Sequence, residues 1–95
     1  MPAYLIASIE VHDPARYETY RRGVPALIAR HGGEYLARGG EVEVCEGDWK
    51  ASRLVLLRFP DRAAIRAFLD DPDYRPLAAI RHESATSSLV AVDGL

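Results

Sequence analysis

The sequence predicts an α+β fold, a four-stranded antiparallel sheet with helices on one face. Three observations predict it. Ala3, Leu5, Ala7, Ile9 and Val11 share one parity, and "RLVLLRFP" is a second compact apolar run, as buried strands require. Tyr17, Tyr20, Val24, Leu27 and Ile28 recur at three- and four-residue spacing, which is the buried stripe of a helix. The order along 95 residues is then strand, helix, strand, strand, helix pair, strand. Right-handed crossovers put the first and third strands in the middle, which is the ferredoxin-like arrangement. Residues 1–95 read as one domain. A chain of this length buries only about 60–65% of its unfolded surface, so a partner surface would help it.

The first strand pairs its apolar face with a mixed one of Tyr4, Ile6, Ser8, Glu10 and His12. In "HDPARY", Asp13 caps a helix and Pro14 takes the first position, where its missing N–H costs nothing. Pro25 is expected to kink that helix near Gly23, and a left-handed glycine of "HGG" to end it. "EYLARGG" is a short second strand. In the third, Val55, Leu57 and Phe59 share one face and Leu54, Leu56 and Arg58 the other. Asp61 caps a helix carrying Ile65, Phe68 and Leu69. "DDPDY" restarts helix with Asp71 as cap and Pro72 first, and Leu77 and Ile80 continue its stripe. "SATSSLVAVDG" supplies a loop and the last strand.

Twelve basic against fourteen acidic residues leave a formal charge of -2 without any basic block, which argues against a nucleic-acid partner. No apolar run approaches the ~20 residues that span a bilayer, and "MPAYLIASIEVHD" lacks the parts of a signal peptide, so no membrane partner and a cytoplasmic location are expected. The single cysteine leaves no intrachain disulfide and fits a reducing compartment.

With helices on one face, the even-numbered face of the sheet lacks a cover. Tyr4, Ile6, Leu36, Leu54 and Leu56 lie there beside Ser8, Glu10, Arg38 and Arg58, too apolar a set for a solvated surface. A second copy packing sheet against sheet answers it, and a homodimer is the expected partner.

The stretch "LARGGEVEVCEGDW" collects the only cysteine and tryptophan, a glycine pair and four acids. No histidine neighbours Cys45, and Glu43 and Glu46 beside it would raise a thiol pKa, so the residue reads as buried filler rather than a nucleophile. Trp49 reads as a cover for the end of a hairpin. The glycines bend or bulge the strand, because no helix follows them to make a phosphate loop. His12, His31 and His82 lack metal-site spacing, so no metal is expected.

One constellation comes from topology. If strands one and two run one way and three and four the other, Glu10, His12, Arg38, Arg53, Arg81 and His82 approach the same end, with Glu46 and Tyr17 near it. Three guanidiniums beside few carboxylates suit a small anionic or carboxylate-bearing ligand held bidentately, with Tyr17, Arg38, Arg53 and Arg81 binding it. The same charges could instead be rim residues that pair with one another. Tyr74 either points its hydroxyl into the pocket or packs in the core.

"DPARYETYRRGVPALIARHGGEYLARGGEVEVCEGDW", "RLVLLRFPD", "DPDYRPL" and "IRHESA" together resemble the domain-of-unknown-function family thirteen-thirty of the dimeric α/β-barrel superfamily. Phe68 and Asp71 depart from it, standing where that family often has tryptophan and serine. The resemblance implies a homodimer whose two sheets form a barrel. It implies no activity, since the superfamily mixes cofactor-free oxygenases, isomerases, haem enzymes and ligand-binding modules. Two functions are therefore expected. One is a cofactor-free enzyme acting on a small polar or carboxylate-bearing molecule in a barrel pocket, with Glu10 or Glu46 as general base, Arg38 and Arg81 orienting the substrate and Tyr74 as proton donor. The alternative is a non-catalytic small-molecule-binding or assembly module in which the arginines only bind.

Overall fold

A computed structural model describes residues 1–50 and 52–95. Its elements are β1 (Ala3–Val11), α1 (Pro14–Arg30), β2 (Glu34–Arg38), β3 (Arg53–Phe59), α2 (Arg62–Leu69), α3 (Arg75–Ser84) and β4 (Ala85–Asp93). The sheet order is β2-β3-β1-β4, antiparallel throughout, so β1 and β3 hold the middle as the crossover rule requires. Ala3, Leu5, Ala7 and Ile9 of β1 and Val55, Leu57 and Phe59 of β3 turn inward and are buried. Against them lie Tyr17, Tyr20, Val24, Leu27 and Ile28 of α1, Ile65 and Phe68 of α2, and Tyr74. A fully buried Leu, Ile or Phe contributes roughly 1.5–3 kcal/mol, so this one layer holds the domain together.

The α1 cap follows the sequence reading, since Asp13 accepts from the Arg16 N–H at 3.1 Å with Pro14 next. At the other end Gly32 has φ +77, and the Gly32 and Gly33 N–H groups donate to Ala29 and Ile28 at 3.0 and 2.9 Å. That pair of bonds is a Schellman motif. The helix is assigned as one element through Pro25. Asp61 caps α2 by accepting from the Ala64 N–H at 2.8 Å.

Two expectations at element boundaries change. Asp71 does not cap a helix starting at Pro72; its side chain accepts from the Asp73 N–H, its carbonyl accepts from the Tyr74 N–H, both at 2.9 Å, and α3 begins at Arg75. Pro76 has no N–H for the Pro72 carbonyl, so an α-helical ladder cannot run through from Pro72. No loop separates α3 from β4 either. The Ser84 carbonyl accepts from both His12 and Asp13 N–H at 2.7 and 3.1 Å, pinning the junction to the end of β1, where Ala85 already pairs with Val11.

Between β2 and β3 the alternation "EVEVC" forms no strand. The expected bulge falls ahead of the glycine pair, between Tyr35 and Ala37, while Gly39 at φ +69 turns the chain out of the sheet. Cys45 is exposed rather than buried filler, and Trp49 is 58% exposed rather than a cover, because this segment leaves the core behind. The outer face keeps its apolar character. Tyr4, Ile6, Leu54 and Leu56 are half-buried, and Leu36, Val90 and Val92 are exposed.

Candidate functional site

Between the inner face of the sheet, α1 and α3 lies a partly open cavity of about 40 Å³. It lies within one protomer on the helix side of the sheet, not between two sheets as a barrel pocket would. Its polar lining is four tyrosines, Tyr17, Tyr20, Tyr35 and Tyr74, and four arginines, Arg21, Arg38, Arg53 and Arg81, with no acidic residue among them.

Strand register sets the arginine end. Arg53 of β3 faces Ile9 of β1, which faces Ser87 of β4, so the three form one row across the inner face. Arg81, in the last turn of α3, is only 6% exposed and donates through Nη1 to Ser87 Oγ at the end of that row. Its guanidinium carbon lies 5.8 Å from the Tyr20 ring centroid, and that of Arg53 lies 5.6 Å from the Tyr17 centroid. Both contacts are within cation–π range. Nε of Arg53 and Nε of Arg81 are buried, and neither has a hydrogen-bond partner among the described residues. Gly39 makes room for Arg53, since a Cβ there would overlap the Arg53 guanidinium.

Arg38 reaches this cavity by a route its even number hides. The bulge between Tyr35 and Ala37 shifts parity, so that Arg38 stands opposite Val55 on the inner face and not beside Glu10 on the outer one. Its guanidinium stacks 4.6 Å from the Tyr35 centroid and donates from Nη2 to the Arg21 carbonyl at 2.9 Å. That carbonyl is free because Pro25, four residues on, has no N–H to offer it. A proline that breaks one helix bond thereby creates the anchor for Arg38.

Next to Arg81 the Tyr20 and Tyr74 hydroxyls are hydrogen-bonded at 2.9 Å, both residues buried. Burial first, then the neighbouring Tyr74, pushes the Tyr20 phenol well above its ordinary pKa, so it stays protonated. Burial also raises Tyr35, against an opposing pull from Arg38. Tyr74 packs its ring in the core against Phe68, 4.5 Å between centroids, and is one of the residues lining the cavity.

Other candidates lie elsewhere. Glu10 is the penultimate residue of β1, on the outer face, exposed, among Ser8, Lys50, Thr86 and Ser88. Glu46 is exposed in the segment after β2, near Val44, Trp49 and Leu54. Both are at or near the expected end of the sheet, but neither lines the cavity, because even parity on β1 and an unpaired segment both point away from the helices. His12 contacts Thr86 Oγ1 at 2.6 Å on the surface, and His82 is exposed with Nε2 3.4 Å from Arg81 Nη2. Among the described residues no three His, Cys, Asp or Glu side chains converge as metal ligands. None of the described helices is long and apolar enough to cross a membrane.

Tyr20, Tyr35 and Arg21 were not foreseen as cavity residues. Tyr17 and Tyr20 on one buried stripe were a signal, since a buried tyrosine hydroxyl wants a partner. Outside the cavity, Asp71 joins α1 to the turn before α3: it bonds His31 Nε2 at 2.8 Å and Arg30 Nη1 at 3.1 Å. The His31 contact first, then the Asp73 N–H and Arg30, hold its carboxyl at about 2.

The sequence model of the family described as Domain of unknown function (DUF1330) matches residues 2–95. The chain belongs to this family. No curated protein matches the DUF1330 chain. Among solved structures it is similar to the RPA0582 protein of unknown function from Rhodopseudomonas palustris, at 20% identity and TM-score 0.80, over 99% of this chain and 82% of that one. A dimeric ferredoxin-like protein of unknown function from Jannaschia sp. CCS1 superposes with TM-score 0.80 at 15% identity, covering 99% of this chain and all of that one. SnoaB, a cofactor-independent oxygenase from Streptomyces nogalater, gives TM-score 0.69 at 20% identity, over 99% of this chain and 93% of that one. At these identities the likeness establishes the ferredoxin-like fold of the DUF1330 chain and nothing about its chemistry.

Proposed function

We propose that the protein is a homodimer, joined through the outer sheet face, that binds a small anionic organic molecule in the cavity of each protomer. One observation carries the binding reading. Arg53 and Arg81 each bury an Nε–H without an acceptor among the described residues, in a cavity with no acidic lining residue. A buried donor left unsatisfied costs about 1–3 kcal/mol, and a carboxylate supplies the missing acceptor and the missing charge together. A water needs roughly 10–15 Å³ of such space, so a ligand beyond a few heavy atoms enters only as side chains part. The reading requires no cofactor. The dimer is supported by the apolar outer face and by the Jannaschia protein being described as dimeric. An exposed free thiol at Cys45 suits a reducing, cytoplasmic setting.

A second reading, a cofactor-free enzyme in the same cavity with Tyr74 as proton donor, is favoured by the Tyr20–Tyr74 hydroxyl pair. Binding stands first because among the described residues no carboxylate lines the cavity to act as a base. The test is calorimetric titration with butyrate, butylamine and 1-butanol, which share a chain and differ in charge. Butyrate alone is expected to bind. Equal affinity for all three, or none for butyrate, would overturn the anionic reading.

A further inference from the structure

The Tyr20–Tyr74 pair holds one proton more than its own hydrogen bond consumes. Two hydroxyls carry two protons, one lies between the oxygens at 2.9 Å, and neither oxygen has another partner among the described residues. Both residues line the cavity and both are buried, so the second O–H is a donor beside a space whose other polar lining is Tyr17, Tyr35 and four arginines. It adjoins the arginine end, with the Arg81 guanidinium over the Tyr20 ring, and Tyr17, beneath Arg53, 5.6 Å from Tyr20 between ring centroids.

We propose that the ligand is a small oxo-carboxylate, its carboxylate between Arg53 and Arg81 and its carbonyl oxygen accepting from the tyrosine pair. This rests on the anionic reading of the cavity and adds the second recognition element. A carbonyl is an acceptor only, so it takes up the surplus proton and brings none that the phenol oxygens of the lining must accept. A site built to hydrogen-bond an oxygen discriminates strongly against the analogue lacking it, because the buried donor is then left unpaired.

The experiment compares butyrate with 2-oxobutyrate and 3-oxobutyrate, which share skeleton and charge, in wild type and in the double variant Tyr20→Phe/Tyr74→Phe. Melting is recorded to show that the double variant folds. The double variant is needed because either tyrosine alone could still donate. At least one oxo acid should bind wild type ten times or more tighter than butyrate, and the double variant should bind that acid and butyrate alike. If butyrate and both oxo acids bind wild type equally, or the preference persists without the hydroxyls, the tyrosine role is wrong and the anionic cavity stands. If none of the three binds, the anionic reading falls and this inference with it. Should the double variant fail to fold, the wild-type comparison decides alone, and equal affinity for butyrate and both oxo acids overturns the inference.

Discussion

Replacing Arg81 with methionine separates a guanidinium kept for a ligand from one kept for the fold. The side chain is 6% exposed, donates to Ser87 Oγ and leaves Nε without a partner. Methionine retains most of the stem's packing. Loss of the charged bond to Ser87 costs about 1.5–3 kcal/mol, and removal of the unsatisfied buried donor returns about 1–3 kcal/mol. The two nearly offset, so stability should change by no more than about 2 kcal/mol in either direction. For a domain of this size that is a shift of up to roughly 15 °C in Tm, read at fixed protein concentration because a dimer's Tm depends on it. Carboxylate binding behaves differently. Truncating a buried hydrogen-bonded charge partner typically costs about 2–5 kcal/mol, a loss of roughly thirty- to several-thousand-fold in affinity. Thermal melting and calorimetric titration with butyrate give both numbers on one preparation. A loss of stability beyond about 4 kcal/mol, or affinity unchanged from wild type, would refute the reasoning.

Further outcomes are expected at positions that act through separate contacts. Ile6→Glu puts a charge in the middle of the outer face without touching the buried layer and should shift a dimer to monomer by sedimentation at micromolar protein. Pro25→Ala restores an N–H for the Arg21 carbonyl; it should raise stability by about 1–2 kcal/mol in chemical denaturation and weaken carboxylate binding, because Arg38 loses its anchor. The Asp71 carboxyl sits at about 2 when folded, against roughly 3.9 unfolded, so its stabilising contribution is complete above about pH 4 and is lost as pH falls toward 2. Asp71→Asn should therefore be less stable than wild type at neutral pH and flatter between pH 4 and 2 in acid denaturation.

The fold was legible because its signals are local and agree with one another. The parity of Ala3, Leu5, Ala7 and Ile9, the Asp13–Pro14 and Asp61 caps and the glycines after α1 each mark an element. The site was legible only where it follows from topology. Arg53 and Arg81 line one cavity because strand direction brings the start of β3 and the end of α3 to one end of the sheet. Arg38 was assigned to the wrong face, because one bulged residue at Leu36 reverses parity and leaves no mark in the alternation. Glu10 was excluded by its own even parity, a signal present in the sequence. Cys45 was misread as buried because "EVEVC" alternates like a strand but forms none. The Tyr20–Tyr74 bond spans 54 residues, and the link from Pro25 to Arg38 runs through a backbone carbonyl. Neither leaves a pattern in one dimension.

The most direct measurement is a crystal structure of the protein grown with saturating butyrate. The carboxylate is expected in the cavity of each protomer, its oxygens about 2.7–2.9 Å from guanidinium nitrogens of Arg53 and Arg81. Butyrate bound only outside the cavity, or a cavity whose two arginines have turned to other partners, would contradict the account.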